Sequence, residues 1–193
     1  MAQLTPAPTT TAKPIHPKKK EQARKEGAKK GQDLSGLEEM GGVRYFHVAL
    51  DNSDGNWELI EEAMEGANTP VEANADERKG GAAKIGKALL SASDDRLCIY
   101  LHVPEEVTGN SGVTIQDWFA VLVKSTGATI VQAPPTDKVF GFAKAEVLQA
   151  PEVFPLKLRD TASSIGFQYL RQAKVIPEEE SSMEMEEMDN LEW

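Results

Sequence analysis

The stretch KALLSASDDRLCIYLHV, residues 87–103, decides how this chain folds. In its second half Leu97, Ile99, Leu101 and Val103 alternate with Cys98, Tyr100 and His102, the period of two that a β-strand imposes. The apolar run before it, roughly Ala88 to Ser93, reads as another strand, and Asp94-Asp95 between them reads as a tight turn. Two strands joined so closely form an antiparallel hairpin, which Pro104 ends.

Upstream, GGVRYFHVAL predicts a first strand with Phe46, Val48 and Leu50 on one side and Tyr45, His47 and Ala49 on the other. DNSDGN is a turn that places Asp54 or Asn56 as the cap of a helix, WELIEEAMEGAN. In that helix Trp57, Ile60, Met64 and Ala67 share a face, and Glu61, Glu62 and Glu65 lie away from it. Downstream, VTIQDWFAVLVKSTG predicts a helix capped by Thr114 and terminated by Gly127, with Ile115, Trp118, Phe119 and Leu122 inward. ATIVQAPPTDK starts extended and turns at Pro134-Pro135, VFGFAKAEVL is a strand, and the last helix carries Leu158, Ala162, Ile165 and Tyr169 at helical spacing. The order β-α-β-β-α-β-α describes an α+β domain, a mostly antiparallel sheet with helices packed on it.

Composition divides the 193 residues into three parts. Residues 1–40 read as a disordered basic arm, rich first in Thr and Pro and then in Lys and Arg, with no apolar stripe to bring to a core. Residues 41–177 are the globular domain, and residues 178–193 an acidic tail without a basic residue. The formal net charge is −10. A single cysteine, Cys98, makes no internal disulfide and suits a reducing compartment. No apolar run approaches the length of a membrane span, and the N-terminus lacks a secretory block, so a cytoplasmic protein without membrane contact is expected. Organelle import is the alternative, because the first twenty residues lack acids, although their prolines oppose a presequence helix.

RKGGAAKIGKALLSAS, residues 78–93, contains G-x-x-x-x-G-K-A, one letter from a phosphate-binding loop. Ala88 lacks the hydroxyl that would ligate magnesium, and the loop leads into a strand rather than a helix. It reads instead as a Gly-rich connection whose Lys79, Lys84 and Lys87 are exposed point charges. His47, His102 and Cys98, taken to share one sheet face, match no zinc spacing, so no metal and no cofactor are expected. No nucleophile motif or marked carboxylate pair is present, and the chain is read as a non-enzyme. With the first and third strands taken as central neighbours, Tyr45 and Tyr100 become base-stacking candidates on one face. The competing reading is that the final helix covers that face and the rings are core.

The run KALLSASDDRLCIYLHVPEEVTGNSGVTIQDWFAVLVKSTGATIV resembles the C-terminal, tRNA-elbow-binding domain of alanyl-tRNA synthetase. The family's apolar strand, hairpin into a strand ending in V-P, and Trp-bearing helix are similar to Ala88–Ser93, Leu97–Pro104 and TIQDWF with Asp117-Trp118. FHVALDNSDGNWELIEEAM and LKLRDTASSIGFQYLRQA resemble the family's flanking strand–helix unit and closing helix, so the likeness runs from about Val43 to Ala173. The family's glycine-rich segment after the Trp helix is matched only at Gly127 and in GFAKAE. The resemblance implies a free-standing relative of a tRNA-elbow-binding module, not a ligase.

The expectation from all of this is a non-catalytic module that binds tRNA or another structured RNA. Lys18, Lys19, Lys20, Arg24, Lys25, Lys29 and Lys30 of the arm would contact phosphates, joined by Lys79, Lys84 and Lys87, with Lys138 and Lys144 as extensions. The rival expectation is a structural or adaptor subunit of a larger assembly, docking on a protein partner through the acidic tail and the folded surface.

Overall fold

A computed structural model of the chain describes residues 15–71, 80–109 and 112–176. In chain order it contains α1 (Pro17–Gly41), β1 (Tyr45–Leu50), α2 (Trp57–Asn68), a 3-10 turn (Ala82–Lys84), β2 (Gly86–Ala92), β3 (Arg96–Val103), the one-turn α3 (Glu105–Thr108), α4 (Ile115–Thr126), β4 (Thr129–Gln132), β5 (Gly141–Leu148) and α5 (Pro155–Gln172). The α+β class is as read from the sequence. The chain order differs from the expected one by α1 at the start, by the short 3-10 turn and the one-turn α3, and by β4, whose four residues are all exposed and carry no alternation to recognise.

The helix ends follow local chemistry. Asn56 Oδ1 accepts from the N–H of Glu58 at 3.0 Å, and Thr114 Oγ1 accepts from the N–H of Asp117 at 3.0 Å, so each satisfies an orphan donor of a first turn. Gly127, at φ 66°, closes α4 by donating to the Val123 carbonyl.

The five strands lie in the order β1-β2-β3-β5-β4. β1 runs parallel to β2, while the β2–β3, β3–β5 and β5–β4 pairs are antiparallel. The sheet is therefore mixed, and β2 separates β1 from β3, in place of the expected pairing of those two strands. Helices cover both faces. On one, Leu90, Leu97, Ile99, Leu101, Ala143 and Ala145 pack against Trp118, Phe119 and Leu122 of α4 and Ala162 and Leu170 of α5. On the other, Val48, Leu50, Leu89 and Cys98 pack against Ile60, Ala63 and Met64 of α2 and Leu34 of α1.

Residues 1–14 and 177–193 lie outside the described residues, and with them the start of the expected arm and the whole acidic tail. Residues 17–41 correct the expectation of a disordered arm. They form a 25-residue helix, begun by Pro17 and ended by Gly42 at φ 67°. The inward face of α1 is Ala23, Gly27, Gly31 and Leu34, spaced at helical intervals but mostly too small to read as an apolar stripe. Small size is what the packing uses. A Cβ added at Gly27 would lie 1.9 Å from the Ala63 carbonyl oxygen, one at Gly31 2.5 Å from that of Ala67, and one at Gly66 2.1 Å from that of Arg24. The two helices run in the same direction in near backbone contact. Further ties are the Gly80 N–H donating to the Ala28 carbonyl at 2.8 Å and the Glu26 carboxylate accepting from the N–H groups of Asp51 and Asn52 at 2.7 and 3.0 Å.

In a free helix, replacing Gly by Ala is favourable by about 1 kcal/mol. At this interface the sign should reverse. Gly27→Ala and Gly66→Ala should each destabilise the protein by about 2 kcal/mol or more in urea unfolding, because the added methyl overpacks backbone. Gly36→Ala, on the same helix with nothing within 4 Å of its added Cβ, should stabilise instead. Shifts of the same sign at Gly36 and Gly66 would contradict the close approach.

Candidate functional site

The helical register of α1 divides its cations. Lys20 pairs with Glu58, Arg24 Nη1 lies 3.6 Å from Glu62 and 3.5 Å from Glu65, and Lys19 lies 3.5 Å from Asp54. These groups answer the acidic side of α2 and the loop before it. Lys18, Lys25 and Lys29 fall seven and four residues apart on the outward face, about 10 and 6 Å along the axis at 1.5 Å per residue. Lys25 pairs with Glu21 one turn earlier at 2.6 Å, whereas Lys18, Lys29 and Lys30 carry no ion pair to another described residue. Lys30 sits beside Asp51 and Asn52 in a shallow groove that also holds Lys25 and Lys29. The first turn of α1 holds no acid, so Lys18, Lys19 and Lys20 stand where the macrodipole is positive. The glutamates of α2 offset that repulsion for the inward cations only.

The glycine-rich loop turns the phosphate-loop arrangement inside out. The Gly80 and Gly81 N–H groups, which would face an anion, donate instead to the Ala28 and Thr69 carbonyls at 2.8 Å each. Lys87, expected at the surface, is 0% exposed. Its Nζ donates to the Ala82 and Ile85 carbonyls at 2.6 and 3.1 Å and lies 3.2 Å from His102 Nδ1. It points inward because β2 is flanked by strands and helices, so its ammonium finds its partners in the carbonyls of Ala82 and Ile85, at the 3-10 turn and just past it, and in His102. Lys84 is exposed, and Lys79 falls outside the described residues. Lys144 pairs with Glu61 and stands 4.8 Å over the Tyr100 ring, which makes it an intramolecular group.

The two stacking candidates lie on opposite faces of the sheet. β1 pairs with β2 as Tyr45↔Gly86 and β2 with β3 as Leu89↔Tyr100, and this register sends Tyr45 to the α4–α5 side and Tyr100 to the α2 side. Tyr45 is 2% exposed and donates its hydroxyl to the Val107 carbonyl at 2.8 Å, so it is core. Tyr100 is half-buried and borders a groove with Phe142, a ring that no sequence signal singled out. The histidines part in the same way. His47 accepts from Trp118 Nε1–H at 3.2 Å and lies against Gly166 of α5. His102 lies across the sheet, its ring stacked on Phe142 at 4.2 Å. Cys98 is buried with Sγ 3.2 Å from the Gly55 carbonyl, and burial pushes its thiol up to about 12.

No protein-family model and no curated protein matches the chain. Among the described residues no helix is long and apolar enough to cross a membrane.

Burial depresses both core histidines, His47 to about 4 and His102 to about 3, with the neighbouring Lys87 adding to the second. Burial likewise pulls Lys87 down to about 7, while its two carbonyls hold the proton. An unfolded histidine titrates near 6.5. Between about 6.5 and 4 the unfolded chain therefore binds protons that the folded chain refuses, and stability falls as pH falls through that window. The loss should approach about 1.4 kcal/mol per pH unit for each histidine. Urea unfolding at pH 7, 6 and 5 should show it, and His102→Gln should roughly halve the slope. A midpoint that does not move between pH 7 and 5 would refute the assignment.

Proposed function

We propose that the protein is a non-catalytic module that binds structured RNA through the outward face of α1. The observation that carries this reading is the strip formed by Lys18, Lys25 and Lys29 with Lys30 beside it, three of the four without an ion pair to another described residue. The chain as a whole carries −10, so a polyanion meets attraction at this strip and repulsion over much of the rest. Phosphate contacts from lysines position a helix without reading sequence, so this strip by itself responds to shape. The elements on which the likeness to the alanyl-tRNA synthetase domain rests, β1, α2, the β2–β3 hairpin, α4 and α5, are all formed, which supports tRNA as the first RNA to try. The buried lone thiol supports a reducing compartment, and we place the module in the cytoplasm.

A specific observation supports the adaptor reading as well. β4 is an edge strand with Ile130 52% and Val131 49% exposed, a strip onto which a partner's strand can add. The acidic tail invoked for that role lies outside the described residues.

About four phosphate contacts imply that log K for tRNA falls with log salt at a slope of about −3, not the steeper slope of a fully free arm. The variant Lys18→Glu/Lys25→Glu/Lys29→Glu should lose tRNA binding at little cost in melting temperature, because the one ion pair it breaks, Lys25–Glu21, is an exposed i,i+4 pair worth about 0.5 kcal/mol. Lys20→Glu, which sets like charge against Glu58, should lower the melting temperature instead. Salt-independent binding, or binding indifferent to the triple reversal, would rule the reading out.

A further inference from the structure

A groove of about 550 Å³ runs between the C-terminal turn of α2 and strands β3 and β5. Its walls include Arg24, Asn68, Thr69, Pro70, Tyr100 and Phe142. We propose that this groove seats one unstacked nucleobase bearing an amino donor, stacked on Phe142 and read by the Asn68 carboxamide. The subsite takes its ligand class from the RNA-binding reading above.

Two independent features carry the proposal. The first is an aromatic stack that ends in solvent. His102 is buried and lies parallel to Phe142, with centroids 4.2 Å apart and planes 7° apart. Phe142 is 37% exposed, and Tyr100 stands 5.8 Å from it at a 41° tilt. One side of the Phe142 ring is thus occupied by a flat ring, and the ring itself borders the groove, where a planar base would extend the stack.

The second is an acceptor without a donor. Asn68 Oδ1 is shut away from water and has no hydrogen-bond partner, a rare state for a buried carbonyl oxygen. The carboxylates beside it are already engaged, Glu61 by Lys144 and Glu65 by Arg24. The acceptor left over calls for an N–H donor on the ligand, and an exocyclic amino group on a base edge supplies one. Seating the base requires the carboxamide to turn about its Cβ–Cγ bond, and no hydrogen bond to Oδ1 opposes that turn.

Cytosine and uracil have the same ring size but present an amino donor and a carbonyl acceptor, respectively, at position 4. Hexacytidylate should therefore bind more tightly than hexauridylate in fluorescence anisotropy titrations of the full chain. Phe142→Leu, which keeps an apolar cover over His102, should weaken hexacytidylate by about tenfold. Asn68→Ala should abolish the preference for cytidylate while leaving the melting temperature equal or higher, because it removes an unpaired buried oxygen. Equal affinities for the two oligomers, unchanged binding in both variants, or a melting temperature lowered by Asn68→Ala would each overturn the subsite. The lysine strip is judged separately, by the charge-reversed variant with tRNA. If tRNA ignores that reversal while the Asn68-dependent preference persists, the strip fails and the groove stands. If the reversal abolishes tRNA binding while the oligomers bind equally, the groove fails and the strip stands.

Discussion

The backbones of α1 and α2 come together where Gly27 meets Ala63, Gly31 meets Ala67 and Gly66 meets Arg24, and most of the molecule's character depends on that approach. Three glycines inside helices sacrifice about 1 kcal/mol each in helix propensity relative to alanine. What they allow is contact between two parallel helices with no side chain between them, so that Leu34 reaches the core made by Val48, Leu50 and Ile60. The same contact sets the rotation of α1. With Gly27 and Gly31 inward, Lys20 and Arg24 must flank α2, where Glu58, Glu62 and Glu65 await them, and Lys18, Lys25 and Lys29 must face water. Packing of the smallest residues thereby selects which of the helix's charges are internal and which face solvent.

The sheet imposes a second constraint by being covered on both faces. Its β1–β3 half lies between α2 and α1 on one side and α4 and α5 on the other, and a polar group that enters must bring its partners along. Lys87 does so through the Ala82 and Ile85 carbonyls and the His102 ring, and His47 through the Trp118 indole. Both histidines are held neutral by the surroundings that hold them in place. Cover thins toward β5, where the Tyr100 and Phe142 rings approach the surface together with an unpartnered Asn68 oxygen. Local dissatisfaction of this kind is uncommon in a chain whose other buried polar side chains are bonded, Ser53 apart, among the described residues.

Charge is organised in layers as a result. The acids of α2 neutralise one side of a basic helix, and on the other side Glu21 pairs with Lys25 while Lys18 and Lys29 have no ion pair to another described residue. A chain with a net charge of −10 in this way presents a cationic surface of limited extent.

Residues 87–103 determined the hairpin, and the periodicity of 57–68 and 115–126 determined two helices and their inward faces, down to the caps at Asn56, Thr114 and Gly127. Those features are local, since capping and alternation act within a few residues. Only the tertiary structure decided that residues 17–41 are part of the body, because Ala23, Gly27 and Gly31 become an interface only when another backbone arrives to fill the space they leave. It also decided that Tyr45 and Tyr100 part company and that Lys87 turns inward. The side of a sheet on which a residue falls depends on strand order and register, and the insertion of β2 between β1 and β3 is a long-range choice that no alternation within either strand encodes.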